Sequence, residues 1–354
     1  GPEALAFASG LWFLIFAAMQ IPVGWALDTL GPRRTASSLL LLGGGGGAAV
    51  FAMATTPLHI SIAMGLIGVG CSPVLMASYY IFARLYPARQ FATLAALILG
   101  VGSVGNLVAS YPMALAAETL GWRISLWALA GLSVMTALGI YALVRDPTAP
   151  DGEQKGSLRD LLRLPALWLI LPMMFVSYAP AGALRGLWIG PYLHDAFALS
   201  TVQIGQATLV MGVAMIAGTL AYGPLDRLLG TRKWVVTGGN AVTALALLGL
   251  TLIPANGPVL SVTLLAAVGF FGASYPMVIA HGRGFIPAHL VGRGVTLMNL
   301  FGIGGVGLMQ FLSGRIHTTL STDVTSPYTT IFGFFALTLV AGLVIYAFSR
   351  DSAD

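Results

Sequence analysis

Gly24-Trp-Ala-Leu-Asp28-Thr-Leu-Gly31-Pro-Arg33-Arg34 is the stretch from which the rest of the chain can be read. It is a charged corner between two apolar runs. A carboxylate closes the first run, a glycine offers a turn, and two cations open the second run. A related stretch returns later as Tyr222-Gly-Pro-Leu-Asp226-Arg227-Leu-Leu-Gly230-Thr-Arg232-Lys233. In each copy the aspartate has no other acid for at least twenty residues upstream. A carboxylate in such surroundings needs cations or the bare amides of a helix start as partners. Meeting the device twice implies that the chain was built by doubling.

Composition names the solvent. Of 354 residues 57% are hydrophobic and 8% are charged, whereas a soluble chain is about 25% charged. Such a surface belongs in lipid. The single Cys71 excludes an internal disulfide framework and a thiolate metal cluster. The formal charge of +5 is spread along the chain, which argues against a nucleic-acid partner.

A membrane-crossing helix needs roughly 20 apolar residues. Spans are expected near 5–28, 35–54, 58–83, 90–116, 123–144, 166–192, 201–226, 233–253, 258–282, 289–314 and 327–349, eleven in all. Placing the 29–34 turn in the cytoplasm puts 14 of the 17 Lys and Arg residues on that side, as the positive-inside rule requires. Arg123 and Arg315 fall outside, and Arg185 lies in or near a span. The C-terminus is then cytoplasmic, in what reads as a bacterial inner membrane, but Gly1 falls on the outer side. The expectation is therefore that an earlier helix is missing and that the full count is twelve.

The repeat extends beyond the corners. Gly100-Val-Gly102-Ser-Val-Gly105 is echoed by Gly302-Ile-Gly304-Gly-Val-Gly307, and Tyr86-Pro87-Ala88 by Ile286-Pro287-Ala288. Three features in one order at nearly one spacing imply two pseudo-symmetric halves. The expected organisation is an N-terminal helix bundle over 1–145, a polar linker over 146–164, and a C-terminal bundle over 165–354. The linker ends in Ser157-Leu-Arg-Asp160-Leu-Leu-Arg163, which reads as a short amphipathic helix on the membrane surface.

With these features in place the chain resembles the major facilitator superfamily. Gly24-x-x-x-Asp28-x-x-Gly31-x-Arg33-Arg34 is the most specific part of the likeness. Thr29, Pro32 and the leading Tyr222 of the second copy depart from the usual pattern. The resemblance implies an all-α, polytopic membrane fold, with eleven of twelve transmembrane helices present, and secondary transport by alternating access. It also implies that the corner is a cytoplasmic latch, made by Gly24, Asp28, Gly31, Arg33 and Arg34 and, in the second copy, by Asp226, Arg227 and Arg232. In the family the aspartate meets the start of the eleventh helix, here near His289 to Thr296, and locks the outward-facing state.

Two glycine patterns have plainer readings. Gly100-x-Gly102-x-x-Gly105 matches a dinucleotide fingerprint, but that fingerprint needs a strand before it. Inside an apolar span it reads as close helix packing, as does the run Gly43 to Gly47. The first also lacks the proline of the family's drug/proton antiporters.

Polar side chains within spans face a cavity or a partner. Arg185 stands out, since Pro180 and Gly182 break the helix just before it, and a guanidinium can grip a carboxylate or phosphate with two parallel bonds. The competing reading is that it reaches out to the headgroups. Tyr79, Tyr178 and Tyr275 fall on the spans that line the cavity in the family. Gln20, Asn106 and Asn299 fall where the two halves face each other. Together with Arg185 these are the substrate-binding candidates, each against the alternative of an internal helix–helix hydrogen bond. His281 and Arg283 read as gate or topology signals, and His59, His194 and His317 as solvated loop edges.

No span centre carries Asp or Glu, so the coupling ion, proton or sodium, is left open. Neither a phosphate loop nor an arrangement of nucleophile, base and orienting acid is present, and no cofactor is implied. The expectation is a monomeric permease, not an enzyme, moving a small polar or anionic metabolite. Drug or metabolite efflux, and a non-transporting receptor or assembly protein of the same fold, are the alternatives. Met19-Gln20-Ile-Pro22-Val-Gly24 and Leu187-Trp188-Ile-Gly190-Pro191-Tyr192 loosely resemble bacterial permeases for sugar phosphates and nutrients.

Overall fold

The computed structural model describes residues 2–147, 158–252, 257–319 and 326–352, and these contain helices and no strand. Eleven long helical segments and one short one follow each other. They are α1 (Leu11–Thr29), α2 (Pro32–Ala52), α3 (Pro57–Leu85), α4 (Ala88–Thr119), α5 (Trp122–Leu143), the short α6 (Leu158–Leu162), α7 (Pro165–Phe197), α8 (Thr201–Leu229), α9 (Lys233–Leu252), α10 (Pro258–Arg283), α11 (Val291–Thr319) and α12 (Ser326–Ala347). Ten are long and apolar enough to cross a membrane, and α4 adds a shorter apolar stretch over Arg89–Gly105. Each falls where hydropathy placed a span. The linker helix also forms, although Ser157, its expected cap, lies outside the described residues.

Local chemistry sets the helix ends. Proline stands in the first turn of α2, α3, α7 and α10, where its missing N–H costs nothing. Thr56 caps α3, and Ser200 with Gln203 forms a reciprocal capping box on α8. At the first corner Gly31 takes φ 85°, a left-handed conformation natural to glycine. The backbone can therefore reverse within two residues.

The chain condenses into two compact units. The first comprises residues 1–87, 101–163 and 286–300; the second comprises 88–100, 164–285 and 301–354. In the first, α2 packs against α3 and α5, and the N-terminal helix packs against α3. The Gly43–Gly47 run lets α2 touch the α3 backbone, with Gly43 over Gly70 and Gly47 against Ile67. In the second, α9 packs on α12 and α8 on α10 around Leu247, Phe332 and Phe335, all fully buried. Gly302 and Gly305 close onto Met174, Tyr275 and Phe175. Gly102 and Gly105 do not serve close packing: a side chain added at either would meet no described atom within 4 Å.

Candidate functional site

The first corner makes its contacts within the first unit. α11 begins at Val291, so the amides of Gly292 and Arg293 lie in its first turn and lack helical partners. Asp28 supplies the acceptors. Its Oδ1 accepts from Gly292 N at 2.9 Å and its Oδ2 from Arg293 N at 3.2 Å. The Arg293 guanidinium stands 3.6 Å from the same carboxylate. Asp28 thus caps a helix that lies 264 residues further along the chain. Two glycines make the approach possible. A Cβ at Gly292 would come within 2.5 Å of Asp28 Oδ1, and one at Gly24 would strike the Thr296 hydroxyl and lie 3.0 Å from Arg293 Cα.

The turn beside it is tied down by Asp146. Its carboxylate accepts from Arg33 N at 2.8 Å and fills the space a Cβ would need at Gly31. The Arg33 guanidinium lies 4.5 Å over the Tyr141 ring, while Arg34 is exposed.

The second corner is built differently. Asp226 does not cap a distant helix start. It pairs with Arg232, Nε to Oδ2 at 3.1 Å, and both side chains are only 2% exposed. Arg232 also donates to Ser352 O at 2.7 Å. Asp351 accepts from the amides of Arg232 and Lys233 and from the Thr231 hydroxyl. Lys233 Nζ donates to the carbonyls of Ala347 and Ser349 at the end of α12. His281 joins the same network, with Nε2 donating to Arg350 O at 2.8 Å and Nδ1 accepting from Tyr346 at 2.5 Å. Burial alone would raise the Asp351 carboxyl, but the donors from Thr231, Lys233, Arg232 and Ser352 outweigh it and hold the group below the usual carboxylate range.

A shift of one residue explains the difference. Tyr222 departs from the motif, and Gly223 takes the contact role instead. Its missing Cβ faces Ala96 at 3.2 Å and Thr93 Cα at 3.3 Å, as the missing Cβ of Gly24 faces Arg293 and Thr296. Counting from these two glycines, the residue matching Asp28 is Arg227. Arg227 Nη2 donates to the Thr93 hydroxyl at 3.0 Å. The amides of residues 92 and 93 lie in the second turn of α4, which begins at Ala88, and the helix already uses them. Sequence reasoning also missed Asp146 and Asp351. The signal was available, because Arg145-Asp146 and Arg350-Asp351 repeat the same dipeptide at the end of each half.

The substrate candidates divide between the two units. In the first, Tyr79 and Asn299 are buried, and Gln20 spends its amide nitrogen on Phe16 O at 3.1 Å and Ser72 O at 3.5 Å. Gln20 is thereby held as a helix–helix hydrogen bond, with Oε1 unpartnered among the described residues. Asn106 lies on α4, but its side chain falls outside the described residues.

In the second unit Arg185, Tyr178 and Tyr275 come together. Arg185 rides on a wide π-helical turn, Leu184–Trp188, where α7 rewinds after Pro180 and Gly182. Its guanidinium rests against the bare backbone of Gly212 on α8, 3.3 to 3.6 Å from where a Cβ would stand. At ~1.5 Å per residue that point lies ~16 Å inside α8, and Arg185 itself ~18 Å from the end of α7. The side chain therefore crosses to α8 and does not run along α7 towards Phe197. Its Nε is buried and unpartnered among the described residues. The Tyr178 ring lies against Gly182, just before the turn that carries Arg185. Tyr178 and Tyr275 meet edge to face at 6.0 Å, and the Gln310 amide lies beside Gly186. Three residues on, Trp188 donates to Ser313 Oγ at 2.9 Å and meets His317 with the rings tilted by 33°; His317 is half-buried between Trp188 and Tyr328 and is not a solvated loop edge. His194 is exposed, as expected, whereas His59 is half-buried, with its Nδ1 accepting from Thr55 N at 3.3 Å.

The comparisons with known proteins follow this geometry. The sequence profile described as Major Facilitator Superfamily matches residues 1–189. The chain belongs to the major facilitator superfamily. A curated relative, the sialic acid transporter NanX of Escherichia coli, is 24% identical over 197 residues, 52% of this chain. The chain spans about half of that relative's length, 47%. Among solved structures, the E. coli fucose:proton symporter FucP superposes with TM-score 0.76 at 15% identity, covering 99% of this chain and 92% of FucP. The proton:xylose symporter XylE superposes with TM-score 0.76 at 16% identity, covering 98% and 86%. The human organic anion transporter MFSD10 superposes with TM-score 0.72 at 16% identity, covering 96% and 82%. At these identities the structures show a shared fold, the all-α membrane fold of this superfamily.

Proposed function

We propose that this protein is a secondary active transporter of a small polar or anionic metabolite. It works by alternating access, with the Asp28 contact as the latch of one of its two states. One observation carries the reading: Asp28 accepts hydrogen bonds from two first-turn amides of α11 across a glycine-to-glycine contact. A carboxylate at a helix start contributes about 0.3–1 kcal/mol, and up to about 2 kcal/mol when partly buried. That range can bias two states without freezing either. The 29–34 corner and the C-terminus face the cytoplasm of a bacterial inner membrane in this proposal, following the placement of Lys and Arg. The sequence halves 1–145 and 165–354 are the moving parts and 146–164 joins them. The FucP, XylE and MFSD10 names support transport of small molecules by this fold, and the NanX match over 197 residues supports a polar cargo.

The test uses Val295→Cys in a Cys71→Ser background. Val295 is fully buried one turn beyond the contact. Labelling from the cytoplasmic side should rise several-fold when Asp28→Asn is added. Equal labelling in the two proteins removes Asp28 as the latch.

A further inference from the structure

In the second unit, α7 and α11 present three polar groups that no described residue satisfies. The Arg185 guanidinium has a buried, unpartnered Nε, and no described acid pairs with it. The Tyr178 hydroxyl and the Gln310 amide likewise make no hydrogen bond to a described residue. The Tyr178 ring rests on Gly182, three residues before Arg185, 3.5 Å from where a Cβ would stand. Gln310 faces Gly186, the residue next to Arg185. Gly212, with no side chain, leaves room for the guanidinium on the α8 side.

An unpaired cation ~16–18 Å from the helix ends is costly and marks a functional position. Charge counting then selects the ligand. The other cations of this unit lie elsewhere: Arg232 pairs with Asp226, Lys233 meets carbonyls, Arg227 meets Thr93, Arg283 lies over Phe91 and Arg315 over Phe311, while Arg89 and Arg350 are exposed. A phosphate ester carries about −1.5 to −2 at pH 7. Buried against one guanidinium, it would keep uncompensated negative charge. A carboxylate carries one charge and matches the guanidinium fork with two parallel bonds. The Tyr178 hydroxyl and the Gln310 amide add hydrogen bonds for oxygen substituents on the ligand. The edge-to-face Tyr178–Tyr275 pair adds a firm aromatic wall.

We infer that this site takes a hydroxylated monocarboxylate, a sugar acid, in preference to a neutral sugar or a sugar phosphate. The inference rests on the transport reading in one respect, that the bound ligand is the cargo. The test is titration calorimetry on the purified full chain in detergent. D-gluconate and D-glucuronate are the probes, with D-glucose and D-glucose 6-phosphate as comparators. The expected result is binding of a sugar acid at least tenfold tighter than either comparator. Arg185→Gln should weaken it at least tenfold, with partial recovery in Arg185→Lys. Tyr178→Phe should weaken the sugar acid but leave a bare carboxylate such as acetate unchanged. The selectivity of the unaltered protein decides the matter even if a variant fails to fold. No sugar-acid binding, tighter binding of the phosphate, or unchanged binding in Arg185→Gln would overturn the site. Binding without flux in proteoliposomes would sink the transport reading and leave the site standing.

Discussion

At the scale of single residues, the Asp28 contact depends as much on what is missing as on what is present. Glycine to alanine inside a helix ordinarily stabilises it by up to ~1 kcal/mol. At Gly24 and Gly292 the added Cβ has no space, because Thr296, Arg293 and Asp28 occupy it. Gly292→Ala and Gly24→Ala should therefore each raise labelling at position 295, while the protein keeps its melting temperature or gains slightly. A fall in melting temperature with labelling unchanged would assign these glycines to folding alone. Asp351 gives a second residue-scale prediction. Its carboxyl is held below the ordinary value by its donors, so its stabilisation is complete above pH ~4 and is lost as pH falls through the folded value. The melting temperature of Asp351→Asn should lie below that of the parent at pH 6, and the gap should close towards pH 3. A gap that stays constant over that range would show that the charge of Asp351 is not what matters.

At the scale of elements, α4 and α11 are related by the repeat but begin differently. α11 is preceded by a short 3-10 turn over Ala288–Leu290 and starts at Val291, so its free amides sit opposite Asp28. α4 starts at Ala88, and the residues facing Gly223 are already inside the helix. Arg227→Asp should consequently fail to create a second latch. Labelling at position 295 should be unchanged from the parent, because there is no bare amide for the new carboxylate. A marked drop in labelling would show that α4 can unwind to meet it. The sequence made the helices legible because twenty-residue apolar runs leave lipid as the only solvent. It made Asp28 legible because a motif binds carboxylate, glycine and arginines at fixed spacing. The second corner was misread because aspartate was aligned with aspartate, whereas close contact aligns glycine with glycine. Arg185 was ambiguous because a hydropathy pattern cannot say whether a long side chain points along its helix or across to Gly212. The roles of Asp146 and Asp351 were missed because each completes its contact with a residue more than a hundred positions earlier.

At the scale of the whole molecule, the Asp226–Arg232 pair with its Ser352 acceptor is a salt bridge with both side chains 2% exposed. Removing one member of such a pair leaves a buried charge alone and costs about 3–5 kcal/mol. Asp226→Ala should lower the melting temperature by several degrees, and deletion of residues 348–354 should do the same. The double change should cost less than the sum of the two, since both unpair Arg232. Strict additivity would mean that the tail and Asp226 act separately. The proposed orientation is checked by a fluorescent protein fused after Asp354, which should fluoresce only if that end is cytoplasmic. The tail has a further consequence, for synthesis. Arg232 emerges from the ribosome 120 residues before Ser352, so during translation its guanidinium has Asp226 but not the carbonyl that completes its shell. A nascent chain arrested before residue 350 holds this end of the bundle unfinished. Emergence of residues 350–352, and not insertion of the last helix, is then the event that closes this end of the second bundle.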